Sequence, residues 1–432
     1  MANELVAVTG FVALFALMLL RVPIGIAMGA VGICGFGYLS GFGPAFALLA
    51  QSPIRTATEA GFAVIPLFIL MGNYSSHSGM SRELFQAADS FFGHKRGGLG
   101  MATIVSSGGF AAISGSSVAT AATFSSVAYP EMLRFGYPRS FAAGAVAAGG
   151  TLGILIPPSN ILAVYGILTD QDIGRLFIAG LVPGILAMVM YLLTISVINW
   201  RRPDFLPARG ASSRAERIAA LKNVWAIALL FLCVIGGLYG GVFTPTEAAG
   251  VGATGALIIS VARRKLDRAG FWEATIAAVR TTASIFLILI GALLFGYFLT
   301  ITQTPQAITE FLAGLGIGRY GVLVLILLMY VILGCLMDTM AMVILTVPIV
   351  YPVILALGFD PIWFGIIIVM TVELGLITPP VGMNIFVIKG VVRNIELPDI
   401  FRGVLPFVVT DLIRLAILIL LPAIVLWLPS QM

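Results

Sequence analysis

Apolar positions along this chain neither alternate with polar ones nor recur on one helical face; they run together in blocks long enough to be whole helices. Blocks suited to crossing a bilayer fall at 5–20, 22–39, 61–78, 140–170, 176–199, 223–243, 246–262, 282–302, 362–390 and 404–428. Two further blocks, 99–130 and 320–354, are interrupted by Ser114-Gly115-Ser116-Ser117 and by Met337-Asp338-Thr339. Each is predicted to form two half-length helices. A half-length helix falls short of the ~30 Å hydrocarbon core, so each pair folds back as a re-entrant hairpin whose polar tip faces protein or a water-filled cavity. The expected fold class is an all-α polytopic membrane protein with about ten to twelve transmembrane helices and two re-entrant hairpins.

Composition narrows the function. Hydrophobic residues make up 59% of the chain and charged residues 10%, against about 25% charged in a soluble domain. Cys34, Cys233 and Cys335 all sit in apolar runs, where they read as packing residues and not as disulfides or metal ligands. His77 and His94 belong to no cluster with triad or metal-ligand spacing, so no enzyme and no organic cofactor are expected. The net charge of +5 points to loop orientation, not to nucleic acid. The first block, Leu5 to Leu20, lacks a basic start and reads as a retained helix.

Basic residues set the orientation. Arg201, Arg202, Arg209, Arg214, Arg217 and Lys222 lie in one loop; Arg263, Arg264, Lys265 and Arg268 lie in another, two spans later. The positive-inside rule places both in the cytoplasm. Both termini are then expected to face outward, with the 99–130 hairpin entering from the cytoplasm and the 320–354 hairpin from the opposite face.

A gapless internal repeat underlies this layout. At a constant spacing of 222 positions, Tyr129-Pro130 falls on Tyr351-Pro352, Gly136 on Gly358, Gly153 on Gly375 and Pro157-Pro158 on Pro379-Pro380. The tips coincide too, Ser116 with Asp338 and Ser117 with Thr339. The chain divides into N-terminal scaffold helices (1–60), repeat 1 with its hairpin (61–170), scaffold helices with basic loops (171–281), repeat 2 with its hairpin (282–392) and a C-terminal helix (393–432). Three spans between the units (176–199, 223–243, 246–262) invert the second unit. Inverted repeats with helices interrupted at matching positions point to a secondary transporter's midplane binding site.

The proline pairs suggest the chemistry. In Gly153-Ile154-Leu155-Ile156-Pro157-Pro158-Ser159-Asn160 two backbone donors are missing, which frees carbonyls of the preceding turn. Carbonyls beside serine hydroxyls form an oxygen cage suited to a hard cation. The second copy, Gly375 to Asn384, adds the Thr378 hydroxyl, so two related cation sites are expected. Asp338 at the second tip would put a carboxylate deep in the bilayer, costing about 2.5–3.5 kcal/mol unless it is paired or binds a cation.

The hairpin Ser114 to Thr120, the run Gly153 to Ser159, the stretch Leu176 to Gly184, and Thr378-Pro379-Pro380 with Asn384 together resemble the large membrane (M) subunit, DctM-like, of tripartite ATP-independent periplasmic (TRAP) transporters. The resemblance covers essentially the whole chain. It implies a sodium-coupled, elevator-type importer in the bacterial inner membrane. Its implied partners are a small membrane subunit (Q) and a periplasmic substrate-binding protein (P) that delivers a carboxylate, a C4-dicarboxylate first and a sialic, keto or sugar acid next. By position, the first sodium would take Ser114, Ser116 and the carbonyls of Gly153, Ile156 and Pro158; the second would take Asp338, with Gly375, Thr378 and Pro380 inferred from the repeat. Substrate is expected near Ser117, Thr120, Asn160 and Asn384. A stand-alone sodium/dicarboxylate symporter of similar architecture is the alternative.

Other polar groups have plainer readings. Asp411 and Arg414, three apart on one helix, are expected to neutralise each other or meet the small subunit. Segments 81–92 and 305–315 read as amphipathic helices lying at the interface, arms between scaffold and moving parts.

Overall fold

The structure is a computed structural model and describes residues 2–431. It is all helix, with no strand among the described residues. Among the described residues, seven helices are long and apolar enough to cross a membrane, or nine if two bent pairs, Phe42–Thr58 with Ala60–His77 and Arg214–Asn223 with Trp225–Tyr239, each count as one span. Shorter apolar helices, Ile24–Ser40 and Pro361–Ile377 among them, account for the larger number expected from sequence. Phe42–Thr58 escapes a search for apolar blocks because Gln51, Ser52 and Arg55 interrupt its hydrophobicity.

The repeat reappears in the helix boundaries. Hairpin 1 consists of Gly98–Ser114 and Ser117–Arg134, followed by a helix broken between Arg139–Leu155 and Asn160–Thr169. Hairpin 2 consists of Gly318–Leu336 and Thr339–Ala356, followed by a helix broken between Pro361–Ile377 and Met383–Val391. Both proline pairs sit in the breaks. One expectation changes: the hairpin arms are 17, 18, 19 and 18 residues long. At 1.5 Å per residue that is about 26–28 Å each, nearly full-length arms where half-helices were expected.

The two units interlock reciprocally. Asn160–Thr169 of the first broken helix packs on Thr339–Ala356 of hairpin 2, and Met383–Val391 of the second broken helix packs on Ser117–Arg134 of hairpin 1. The N-terminal halves of both broken helices also pack on one another. Each hairpin tip is thereby held beside both proline breaks.

A second group of helices surrounds this core. Ile24–Ser40 lies along Arg268–Ile301, and Val64–His77 packs on Arg268–Ile301 and Pro245–Ala262. The seam is made of small residues, as lipid-embedded helices require for close approach. A Cβ on Gly25 would lie 2.5 Å from the Leu287 carbonyl oxygen, and one on Gly32 would lie 2.6 Å from the Leu294 carbonyl carbon. Gly32→Leu is therefore expected to lower stability by roughly 1–3 kcal/mol through overpacking. A thermal-unfolding curve of the purified protein that matches the unmodified chain would contradict it.

Met80–Phe92 forms the first amphipathic helix and Thr304–Gly314 the second. Ion pairs tie the first to both basic loops: Glu83 takes Arg263 through 2.7 and 2.9 Å contacts, and Asp89 pairs with Arg209. Burial raises the Asp89 carboxyl above its usual range, with Arg209 opposing the shift.

Candidate functional site

Two prolines at the C-terminal end of Arg139–Leu155 leave the carbonyls of Gly153 and Ile154 without their i+4 donors, and the same holds for Gly375 and Leu376 in the second unit. Four helices begin at this level. Ser116 caps Ser117–Arg134 by accepting the Ala119 N–H, Ser159 caps Asn160–Thr169 by accepting the Leu162 N–H, and Asp338 caps Thr339–Ala356. Gly382, at φ 67°, precedes Met383–Val391. Their free N–H groups and dipoles supply partial positive charge suited to an anion.

At the first expected cation set, hairpin tip and proline break come into close contact. Gly153 presses on the hairpin tip so closely that a Cβ there would stand 2.5 Å from the Ser116 carbonyl oxygen and 2.7 Å from Thr120 Oγ1. Gly115, at φ 59°, faces the Pro158 carbonyl, 2.8 Å from where its own Cβ would be. Ser114 Oγ lies 3.0 Å from Thr120 Oγ1, and Thr120 Oγ1 donates to the Ser116 carbonyl at 2.8 Å. Ile156 closes the turn, buried, in extended conformation. Hydroxyl and carbonyl oxygens of the hairpin tip thus lie close against the first proline break, oxygen donors of the kind a hard cation takes.

The second set is looser. Asp338 Oδ2 accepts the N–H groups of Met340 and Ala341 at 3.0 and 3.3 Å, and no hydrogen bond among the described residues joins it to Gly375, Thr378 or Pro380. Its carboxylate is exposed to the cavity described below and serves as a helix cap, worth about 1 kcal/mol. Thr378 Oγ1 donates to the Leu374 carbonyl, and Pro380 is exposed. Gly375 instead meets the first arm of hairpin 2, where a Cβ would stand 2.8 Å from Gly334 Cα. Cys335 Sγ lies 3.3 Å from the Pro379 carbonyl oxygen.

The substrate candidates meet across the repeats. Asn384 Nδ2 donates to Ser117 Oγ at 2.5 Å, although the two lie 267 positions apart. Asn160 Nδ2 stands 3.4 Å from the Cβ position of Gly115. The Oδ1 atoms of Asn160 and Asn384 are buried without partners, an unusual condition for buried polar atoms.

A cavity of about 790 Å³ opens beside them, lined by Ser114 to Ala119, Asn160, Asp338 to Ala341 and, from the outer helices, Asn73, Arg280 and Ser284. Arg280 is the one Lys or Arg in that lining. Sequence reading passed over it because it stands just before the apolar block 282–302; the signal was there, an arginine inside what becomes the 34-residue helix Arg268–Ile301.

Residues 11–424 match the family described as "Tripartite ATP-independent periplasmic transporter, DctM component". The chain belongs to the DctM family of TRAP transporter large permeases. It is 38% identical to the C4-dicarboxylate TRAP transporter large permease protein DctM of Pseudomonas aeruginosa, over 88% of this chain and 89% of that one. It is 32% identical to the sialic acid TRAP transporter large permease protein SiaM of Vibrio cholerae, over 94% and 98%. Among solved structures, the Alcanivorax borkumensis YdaH transporter shares the fold, with a TM-score of 0.57, 16% identity and 90% of each chain covered. A TRAP large permease is a multi-pass transport subunit, not an enzyme, and works with a small membrane subunit and a periplasmic binding protein. Family membership replaces the stand-alone symporter considered from sequence.

Proposed function

We propose that this TRAP permease imports an organic acid, a C4-dicarboxylate first, across the bacterial inner membrane by coupling it to sodium, with both termini in the periplasm. The observation that carries the reading is the close approach of Gly153 to Ser116, and of Pro158 to Gly115 beside Ser114, next to a cavity lined by helix starts at Ser117, Asn160 and Thr339 and by Arg280. The first oxygen cluster holds sodium; the second, at Gly375, Thr378, Pro380 and Asp338, completes its cage when the cavity fills. The interlocked hairpins and broken helices move as one body against the helix pair Ile24–Ser40 and Arg268–Ile301, an elevator stroke. Substrate sits at Ser117, Thr120, Asn160 and Asn384, and the sialic-acid relative supports related carboxylates as the next class.

Uptake into proteoliposomes containing the full tripartite assembly, measured against external sodium, tests this. Ser116→Ala is expected to raise the sodium concentration for half-maximal uptake about tenfold, equivalent to roughly 1.4 kcal/mol. Asp338→Ala is expected to do the same. An unchanged sodium dependence in both variants removes the assignment.

Arg280 supplies the full positive charge on the outer side of the cavity. Arg280→Gln is expected to raise the substrate KM about tenfold or more, the value of one charge-assisted pair, while Arg280→Lys restores part of it. Equal KM in all three proteins would dismiss the role.

A further inference from the structure

Away from the transport cavity, a groove of about 860 Å³ runs between Ile173–Arg201 and Leu397–Leu420. The helices are antiparallel along it: Thr194 and Thr410 touch at 2.5 Å through their hydroxyl oxygens, and Arg201 and Arg202 come level with Arg402 and Gly403. Leu193, Val197, Pro406, Val409 and Ile413 give it apolar walls. At one end stand Arg201, Arg202 and Arg402, and Trp200 beside them is 79% exposed, an aromatic at the depth where lipid headgroups begin.

The charge at that end is only partly compensated. No ion pair among the described residues engages Arg201 or Arg202; Arg202 lies over the Phe205 ring at 5.8 Å. Arg402 has one ionic contact, with Asp399 at 3.7 Å, between side chains 80% and 46% exposed. A contact that long and exposed is weak. Three arginines therefore line this groove with one loosely held carboxylate beside them.

We propose that this groove is a binding site for an anionic phospholipid. Its acyl chain lies against Val197 and Val409, and its phosphate is held by Arg201, Arg202 and Arg402, whose planar forks suit phosphate oxygens. Basic pockets between transmembrane helices are the usual form of such sites. The layout favours a lipid: the three arginines stand at headgroup depth and the apolar walls lead away from them, the order of a phosphate followed by its acyl chain. An occupant would bridge Leu397–Leu420, which packs on the first broken helix, to Ile173–Arg201.

Native mass spectrometry on the purified membrane complex, after equilibration with acyl-matched phosphatidylglycerol and phosphatidylethanolamine, tests the proposal. The unmodified protein is expected to retain phosphatidylglycerol at least tenfold more than phosphatidylethanolamine. The triple variant R201Q/R202Q/R402Q should bring the ratio within twofold of one. Should that variant fail to fold, V197W/V409W fills the groove with the arginines intact and should cut retention of phosphatidylglycerol by a similar factor. Equal retention of both lipids by the unmodified protein overturns the proposal. So does unchanged retention in either variant, including a case where the small subunit is lost instead, which would make the groove a protein interface.

Discussion

Arg414→Leu is expected to abolish recovery of a folded, monodisperse protein. Arg414 is fully buried, 3.0 Å from Asp411 Oδ1 and 3.4 Å from Glu373 Oε2, with Glu373 at 0% and Asp411 at 2% exposure. Tyr191 donates to the Asp411 carboxylate at 2.7–2.8 Å, and Thr151 Oγ1 lies 3.0 Å from that tyrosine's hydroxyl. Thr151, Tyr191, Glu373 and Arg414 come from four different helices, so one guanidinium ties together the first broken helix, Ile173–Arg201, the second broken helix and the C-terminal helix. Its removal leaves two carboxylates in an apolar interior. Breaking a buried pair from one side costs about 3–5 kcal/mol, a large part of a total stability of about 5–15 kcal/mol. The whole cluster replaced together, E373L/D411L/R414M, should recover much of the loss, because an apolar set of similar volume has no charge to desolvate. Size-exclusion profiles and thermal unfolding check both; a single Arg414→Leu protein as stable as the unmodified chain would refute the account.

Gly153→Val is expected to cost more than tenfold in sodium-driven uptake. The position has no room: the added Cβ meets the Ser116 carbonyl at 2.5 Å and Thr120 Oγ1 at 2.7 Å, one in the proposed ion set and the other in the proposed substrate set. Backbone cannot retreat from such a contact as a flexible side chain can, so hairpin tip and proline break must separate and the oxygens spread. Gly375→Val should act alike at the second break, against Gly334. Gly250→Val is the control, since its Cβ would meet nothing within 4 Å. Uptake by the Gly153 variant equal to that of the Gly250 variant would sink the assignment.

Much of the site was legible in advance because its two halves are written twice. Ser117–Arg134 and Thr339–Ala356 begin and end at the same repeat positions, as do Arg139–Leu155 and Pro361–Ile377. Proline pairs and polar tips are local causes, acting within one turn, so a sequence reveals them. The length of the hairpin arms was misjudged for the same reason: interruption marks where a helix stops, not how far its arms extend once neighbours cover their ends.

Local signals failed where partners come from afar. Asp411 and Arg414 were expected to pair; that Glu373 joins them, 41 positions before Arg414, depends on two helices crossing at one height. Arg280 gained meaning only when its helix came to face hairpin 1. At Asp338 a local signal was passed over instead: the carboxylate caps its own helix, accepting the N–H groups of Met340 and Ala341 two and three positions on.

The amino-acid order by itself determined a membrane-spanning helical chain, its duplication and the breaks that expose main-chain oxygen, because hydropathy and missing proline donors act over a few residues. Only the tertiary structure decided that Gly153 presses on the tip of hairpin 1, that Ser117 meets Asn384, and that Asp338 makes no hydrogen bond to Gly375, Thr378 or Pro380 among the described residues. Those outcomes depend on how glycine-lined surfaces approach across hundreds of positions, and no local pattern encodes such a distance.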